Sequence, residues 1–136
     1  KLGNEYAVDY MLIGKSSDGY SIILVEFEKA DVPYCRAIDN MESESVRKGI
    51  TQIKDWQRWM GQCRDYFLKN IGLSQKGIDV PIYRIFYYLV VSRRDYMNET
   101  VCDIRSQTMY DVHNVKIVTF DRLEDNIRKL KSYHSW

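Results

Sequence analysis

Residues 22–28 read Ile-Ile-Leu-Val-Glu-Phe-Glu. The continuous aliphatic run fits a strand buried on both faces, which needs sheet neighbours beside it and further layers around it. The run ends in two acids two positions apart. In a strand, that spacing puts Glu26 and Glu28 on the face shared by Ile22 and Leu24. Burying a carboxylate without a partner is costly, and two like charges on one face repel. Something positive should offset them, either a metal ion or Lys and Arg side chains.

Upstream, residues 6–13 alternate as a strand. Tyr6, Val8, Tyr10 and Leu12 fall on one face, and Ala7, Asp9, Met11 and Ile13 on the other. A turn is expected over residues 14–19, with the second strand from Tyr20 to Lys29, so the two strands form a hairpin. In such a hairpin Asp9 lies opposite Glu26 or one diagonal step away, within reach of one cation. An oxygen site of this kind suits Mg²⁺, which takes one or two carboxylates, a carbonyl, waters and substrate phosphate. The competing reading is a solvated strand end whose acids pair with Lys29 or with helix charges.

The rest of the chain reads as alternating helices and strands. Residues 31–40 contain Pro33 and suggest a loop. A long amphipathic helix is expected from Ser43 to Lys69, with Ser43 or Ser45 as cap and Glu42 and Glu44 near its positive end. Its inner side carries Gly49, Gln52, Ile53, Trp56, Trp59, Met60, Cys63 and Phe67, while Arg47, Lys54, Arg58 and Asp65 share the outer side. Trp56 and Trp59 read as core rather than as base-stacking platforms. A third strand is expected over residues 82–92 after Pro81, a helix over 95–109, and a short strand over 115–120. Asp121 should cap a last helix that runs to Lys131, with Leu123, Ile127 and Leu130 on one stripe. The order is β-β-α-β-α-β-α, with no internal repeat.

The chain has 136 residues, 45% hydrophobic and 29% charged, which fits one ordinary globular domain. Because it begins with Lys1, it is expected to be the C-terminal part of a longer protein. No apolar run approaches the length of a membrane span. A net charge of +1 excludes nucleic-acid binding by bulk charge, so any DNA contact must use a local basic patch. Lys54 and Arg58 on the outer helix face, and Arg93 and Arg94 after the third strand, are candidates; a plainly solvated face is the alternative. Cys35, Cys63 and Cys102 have no metal-ligand spacing and read as free thiols in a reducing compartment. His113 carries no assigned role.

Asp9, the hairpin and the run Val25-Glu26-Phe27-Glu28-Lys29 resemble the D…(D/E)xK signature of the PD-(D/E)xK nuclease superfamily. Gln52-Ile53-Lys54-Asp55-Trp56 is similar to the Q-x-x-D-W segment of the Shedu family of anti-phage defence proteins. Thr119-Phe120-Asp121-Arg122-Leu123 resembles that family's strand-to-helix segment. Three segments in the right order, covering about residues 5–127, are far more specific than the acids alone. The resemblance implies an α/β restriction-endonuclease-like core, a mixed central sheet flanked by helices with the site at the fork of the first two strands. It implies a metal-dependent DNA endonuclease of the cytoplasm, using Mg²⁺ or Mn²⁺ and assembling as a homo-oligomer through the full-length protein. Asp9, Glu26 and the Phe27 carbonyl would bind the metal, and Gln52 would contact the site or the scissile phosphate.

The sequence departs from the superfamily pattern at Glu28, where the motif has lysine. As an E-x-E variant, Glu28 would act as ligand or general base, and Lys29, or slightly less favourably Lys48, would supply the missing positive charge. Two rival expectations stand beside the nuclease. One is a degenerate nuclease fold that binds or senses DNA without cutting. The other is an assembly domain with no nucleic-acid role.

Overall fold

The computed structural model describes residues 8–134, with side chains described to residue 128. The strands are β1 (Tyr10–Ser16), β2 (Gly19–Phe27), β3 (Ile85–Val90) and β4 (Val115–Val118). The helices are α1 (Glu44–Asn70), α2 (Glu99–Asp111) and α3 (Phe120–His134). Among the described residues the strands form one sheet in the order β1-β2-β3-β4. The first pair is antiparallel and the other two are parallel. The mixed α/β architecture and the order of elements match the sequence reading. Parallel pairing follows from the connections, since α1 and α2 each return the chain to the starting end of the sheet.

The pairing Tyr10↔Val25, Leu24↔Tyr87 and Leu89↔Ile117 fixes two faces. One carries Ile22, Leu24, Ile85, Tyr87, Leu89 and Ile117, all buried with Ile53, Trp56 and Met60 of α1. Trp56 is fully buried, its ring tilted against Tyr87 with centroids 6.5 Å apart. Trp59 packs edge-on to Phe67, so both tryptophans serve the core. On the other face Tyr10 and Leu12 are exposed, and Phe27 stacks on Phe120 at the start of α3. The run at 22–25 is therefore buried at Ile22, Leu24 and Val25, while Ile23, on the less covered face, is half-buried.

Several boundaries differ from expectation. Tyr6 and Ala7 lie outside the described residues, and Asp9 precedes β1 rather than lying within it. The expected six-residue turn shrinks to Ser17–Asp18, because Gly14–Ser16 keep pairing with β2 and Gly19 takes a φ of 120°. Residues 82–84 form a 3-10 turn closed by Arg84 N–H on the Pro81 carbonyl, so β3 begins at Ile85. Asp95 lies in another short 3-10 turn. The following helix starts at Glu99, capped by Asn98, which accepts from Val101 N–H at 2.9 Å. The last helix is capped by Thr119, not Asp121: Thr119 Oγ1 accepts from Arg122 N–H at 3.2 Å. Asp121 instead accepts from Arg94 N–H at 2.6 Å. Ser43 occupies the cap position of α1 but its hydroxyl makes no cap bond. Glu42 lies outside the first turn and binds elsewhere, as described below.

Candidate functional site at the end of the hairpin

The register places Asp9 level with Glu26, because Tyr10 pairs with Val25. Asp9 Oδ2 accepts a 2.8 Å hydrogen bond from Phe27 N–H, which holds the aspartate against the end of β2. Within a strand a residue's N–H and C=O point to the same side, so the Phe27 carbonyl is directed towards Asp9 as well. A protonated Glu26 carboxyl can donate to the Asp9 carboxylate beside it. Three of the residues that the sequence singled out thus meet at the open end of the hairpin.

Glu26 and Glu28 both face α1. A β-carbon on Gly49 would lie 2.5 Å from Leu89 Cδ1 and 3.2 Å from Glu28 Cγ. Only glycine lets the helix come this close to β3 and to the second acid. The sequence signal was a glycine inside an amphipathic helix, which marks close packing without naming its partner.

Burial, the hydrogen bond to Asp9 and the charges of Asp9 and Glu28 push the Glu26 carboxyl up to about 8, against a smaller opposing pull from Lys48. Burial raises Glu28 as well, opposed most by Lys48 and less by Lys29. Lys48 therefore acts on both acids, whereas Lys29 acts on Glu28. Lys29 is exposed and lies beyond the end of β2. Gln52 lies one turn after Lys48 and is half-buried. Its amide makes no hydrogen bond with the described residues, so the helix–sheet bond that could have occupied it is not formed.

The other cations are placed elsewhere. Lys54 and Arg58 lie roughly 9 and 15 Å beyond Lys48 along the helix axis, at 1.5 Å per residue. Arg58 pairs with Asp55, and Lys54 lines a cleft with Glu42, Arg47 and Asp111. Arg93 and Arg94 follow β3 at the same end of the sheet as the acids, but pair with Asp121 and Asp125 of α3. Tyr34, Glu42 and Thr108 form a polar cluster that sequence reading did not find. Tyr34 O–H and Thr108 O–H both donate to Glu42 Oε2, at 2.6 and 2.9 Å. It ties the loop before α1 to α2, and nothing in local spacing announces a contact spanning 66 residues.

The family model described as Shedu protein SduA, C-terminal, matches residues 1–123. The chain belongs to this Shedu family. The match contains Asp9, both glutamates, Lys48, Gln52 and the strand-to-helix segment at Thr119, and it associates the chain with anti-phage defence. No curated protein matches it. None of the described helices is long and apolar enough to cross a membrane.

The donor set can be tested against a divalent cation. Among the described residues no group of three or more His, Cys, Asp or Glu side chains is placed to hold a metal ion. Mg²⁺ does not need such a group, since it keeps several waters and is held by one or two carboxylates plus substrate phosphate. Asp9 and Glu26, with a backbone carbonyl directed to the same place, are such a set.

Proposed function

We propose that this Shedu-family chain is a metal-dependent DNA endonuclease domain of an anti-phage defence protein, with Asp9, Glu26 and Glu28 at its centre. The observation that carries the reading is the convergence of Asp9, pinned by Phe27 N–H, with Glu26 at the exposed end of a strand. Asp9, Glu26 and the Phe27 carbonyl would hold Mg²⁺ or Mn²⁺. The ion would supply Lewis-acid polarisation of the phosphodiester and a more acidic water. Glu28 would take a proton from the attacking water or complete the ligand set. Lys48 would offset the charge that develops on phosphate, the task of the motif lysine that Glu28 replaces. Gln52, one turn further on and with no amide partner among the described residues, would donate to a phosphate oxygen. DNA is the substrate in this reading, and assembly of the full-length protein as a homo-oligomer in the cytoplasm goes with it.

The experiment is cleavage of supercoiled and linear DNA with Mg²⁺ or Mn²⁺, comparing wild type with Asp9→Ala and Glu26→Ala. Metal-dependent cutting that both variants lose supports the reading. Cutting that survives both variants overturns it. Glu28 at the lysine position favours a second reading, a fold that binds DNA without cutting. It predicts salt-sensitive DNA binding with no cleavage under any metal.

A further inference from the structure

We infer that a pocket at the outer edge of the sheet, between α2 and α3, binds a phosphate group. It is lined by Arg105, Lys116 and Arg122, with Tyr88 and Asn126 also at its wall, and it encloses about 140 Å³. A water's share of liquid volume is about 30 Å³, so one tetrahedral oxyanion fits.

Charge composition separates this pocket from its neighbours. The cleft beside it contains Asp125, and the cleft between α1 and α2 contains Glu42 and Asp111. No carboxylate lines the Arg105 pocket. None of its three cations forms an ion pair with a described residue, whereas Arg93, Arg94 and Arg128 nearby each hold an acid.

Arg105 Nε is buried and has no hydrogen-bond acceptor among the described residues. A buried charged donor without an acceptor is unfavourable, and Arg105 carries that deficit at the wall of the pocket. Guanidinium forks match phosphate geometry, and the Asn126 amide and Tyr88 hydroxyl add neutral donors. The inference does not rest on the nuclease reading, since no residue of the pocket belongs to the carboxylate site.

The phosphate could come from a nucleic-acid backbone or from a free phosphate compound. The test follows the Arg105 Nε–H resonance of the whole chain during titration with inorganic phosphate, with chloride at matched ionic strength as reference. A saturable phosphate response that weakens about tenfold in Lys116→Ala/Arg122→Ala, and stays unchanged in Lys76→Ala, is expected. Both substituted residues are exposed, so the double variant should fold, and its thermal unfolding is checked alongside. Equal shifts with chloride, or equal weakening in Lys76→Ala, would overturn the inference. A short duplex that competes for the same resonance assigns the nucleic-acid backbone as source. Competition by a nucleoside monophosphate without the duplex assigns a free phosphate compound.

Discussion

Asp9 and Phe27 are 18 residues apart, yet the aspartate carboxylate accepts the Phe27 amide proton at 2.8 Å. The bond replaces one rung of the strand ladder just where β1 has not yet begun. It turns an exposed acid into a fixed one, and it brings that acid level with Glu26. Asp9→Asn keeps an acceptor for the amide but removes the charge, whereas Asp9→Ala removes both. Loss of metal response in both variants, with a lower unfolding midpoint only in the alanine variant, is the expected pattern by thermal unfolding.

The raised Glu26 carboxyl gives a pH dependence with a definite sign. In the folded, metal-free protein Glu26 keeps its proton up to about pH 8, while its ordinary value is 4.5. Between these values the folded state binds more protons than the unfolded chain, so raising the pH lowers stability. The Glu26 contribution is complete below about pH 4.5 and gone above about pH 8. Urea unfolding at a series of pH values should show a decline through this window that flattens in Glu26→Gln.

Metal should act in the opposite direction. At a concentration one hundred times its dissociation constant, Mn²⁺ should stabilise the folded chain by about 2.7 kcal/mol. The gain should grow with pH through the same window, because the cation displaces a proton. Calorimetric unfolding with and without Mn²⁺ checks this, and a wild-type midpoint unmoved by millimolar metal would remove the metal site.

Gly49→Ala should reverse the usual helix rule. In an exposed helix this change stabilises by roughly 0.5–1 kcal/mol. Here the new methyl meets Leu89 at 2.5 Å and Glu28 at 3.2 Å, so overpacking should destabilise by about 1–3 kcal/mol. Denaturant unfolding measures the sign, and any cleavage activity should fall with it because Glu28 is displaced.

The two candidate lysines should separate in kinetics. Lys48 acts on both Glu26 and Glu28, and Lys29 on Glu28 alone. Lys48→Ala should lower kcat for DNA cleavage about a hundredfold, the scale of one lost electrostatic contact to the reacting group. Lys29→Ala should have a clearly smaller effect. The reverse order would move the charge-offsetting role to Lys29.

Tyr34→Phe tests the cluster that local patterns did not reveal. Removing the hydroxyl takes away a 2.6 Å bond to the Glu42 carboxylate, leaving Thr108 as its hydrogen-bond donor. A loss of about 1–3 kcal/mol is expected for a bond to a charged group, measured by urea unfolding at neutral pH.

The sequence by itself determined the order of elements, the pairing of hairpin strands and the face on which Glu26 and Glu28 lie. These follow from periodicity, because side chains alternate in strands and recur every 3.6 residues in helices whatever surrounds them. It also placed the Asp9–Glu26 proximity, since a short hairpin leaves few registers. Tertiary structure decided the rest. How closely α1 approaches Glu28 depends on Gly49 meeting Leu89, residues in elements that are not adjacent in the chain. That Lys48 acts on both acids and Lys29 on Glu28 alone depends on where α1 crosses the sheet, which no local pattern announces. Asp121 was legible as a helix cap and Glu42 as an acid near a helix's positive end, yet each binds a distant partner, because long-range donors compete with local ones and win once the core brings them near. The Arg105 pocket exists only after α2, α3 and the edge of β4 come together, and no stretch of sequence contains it.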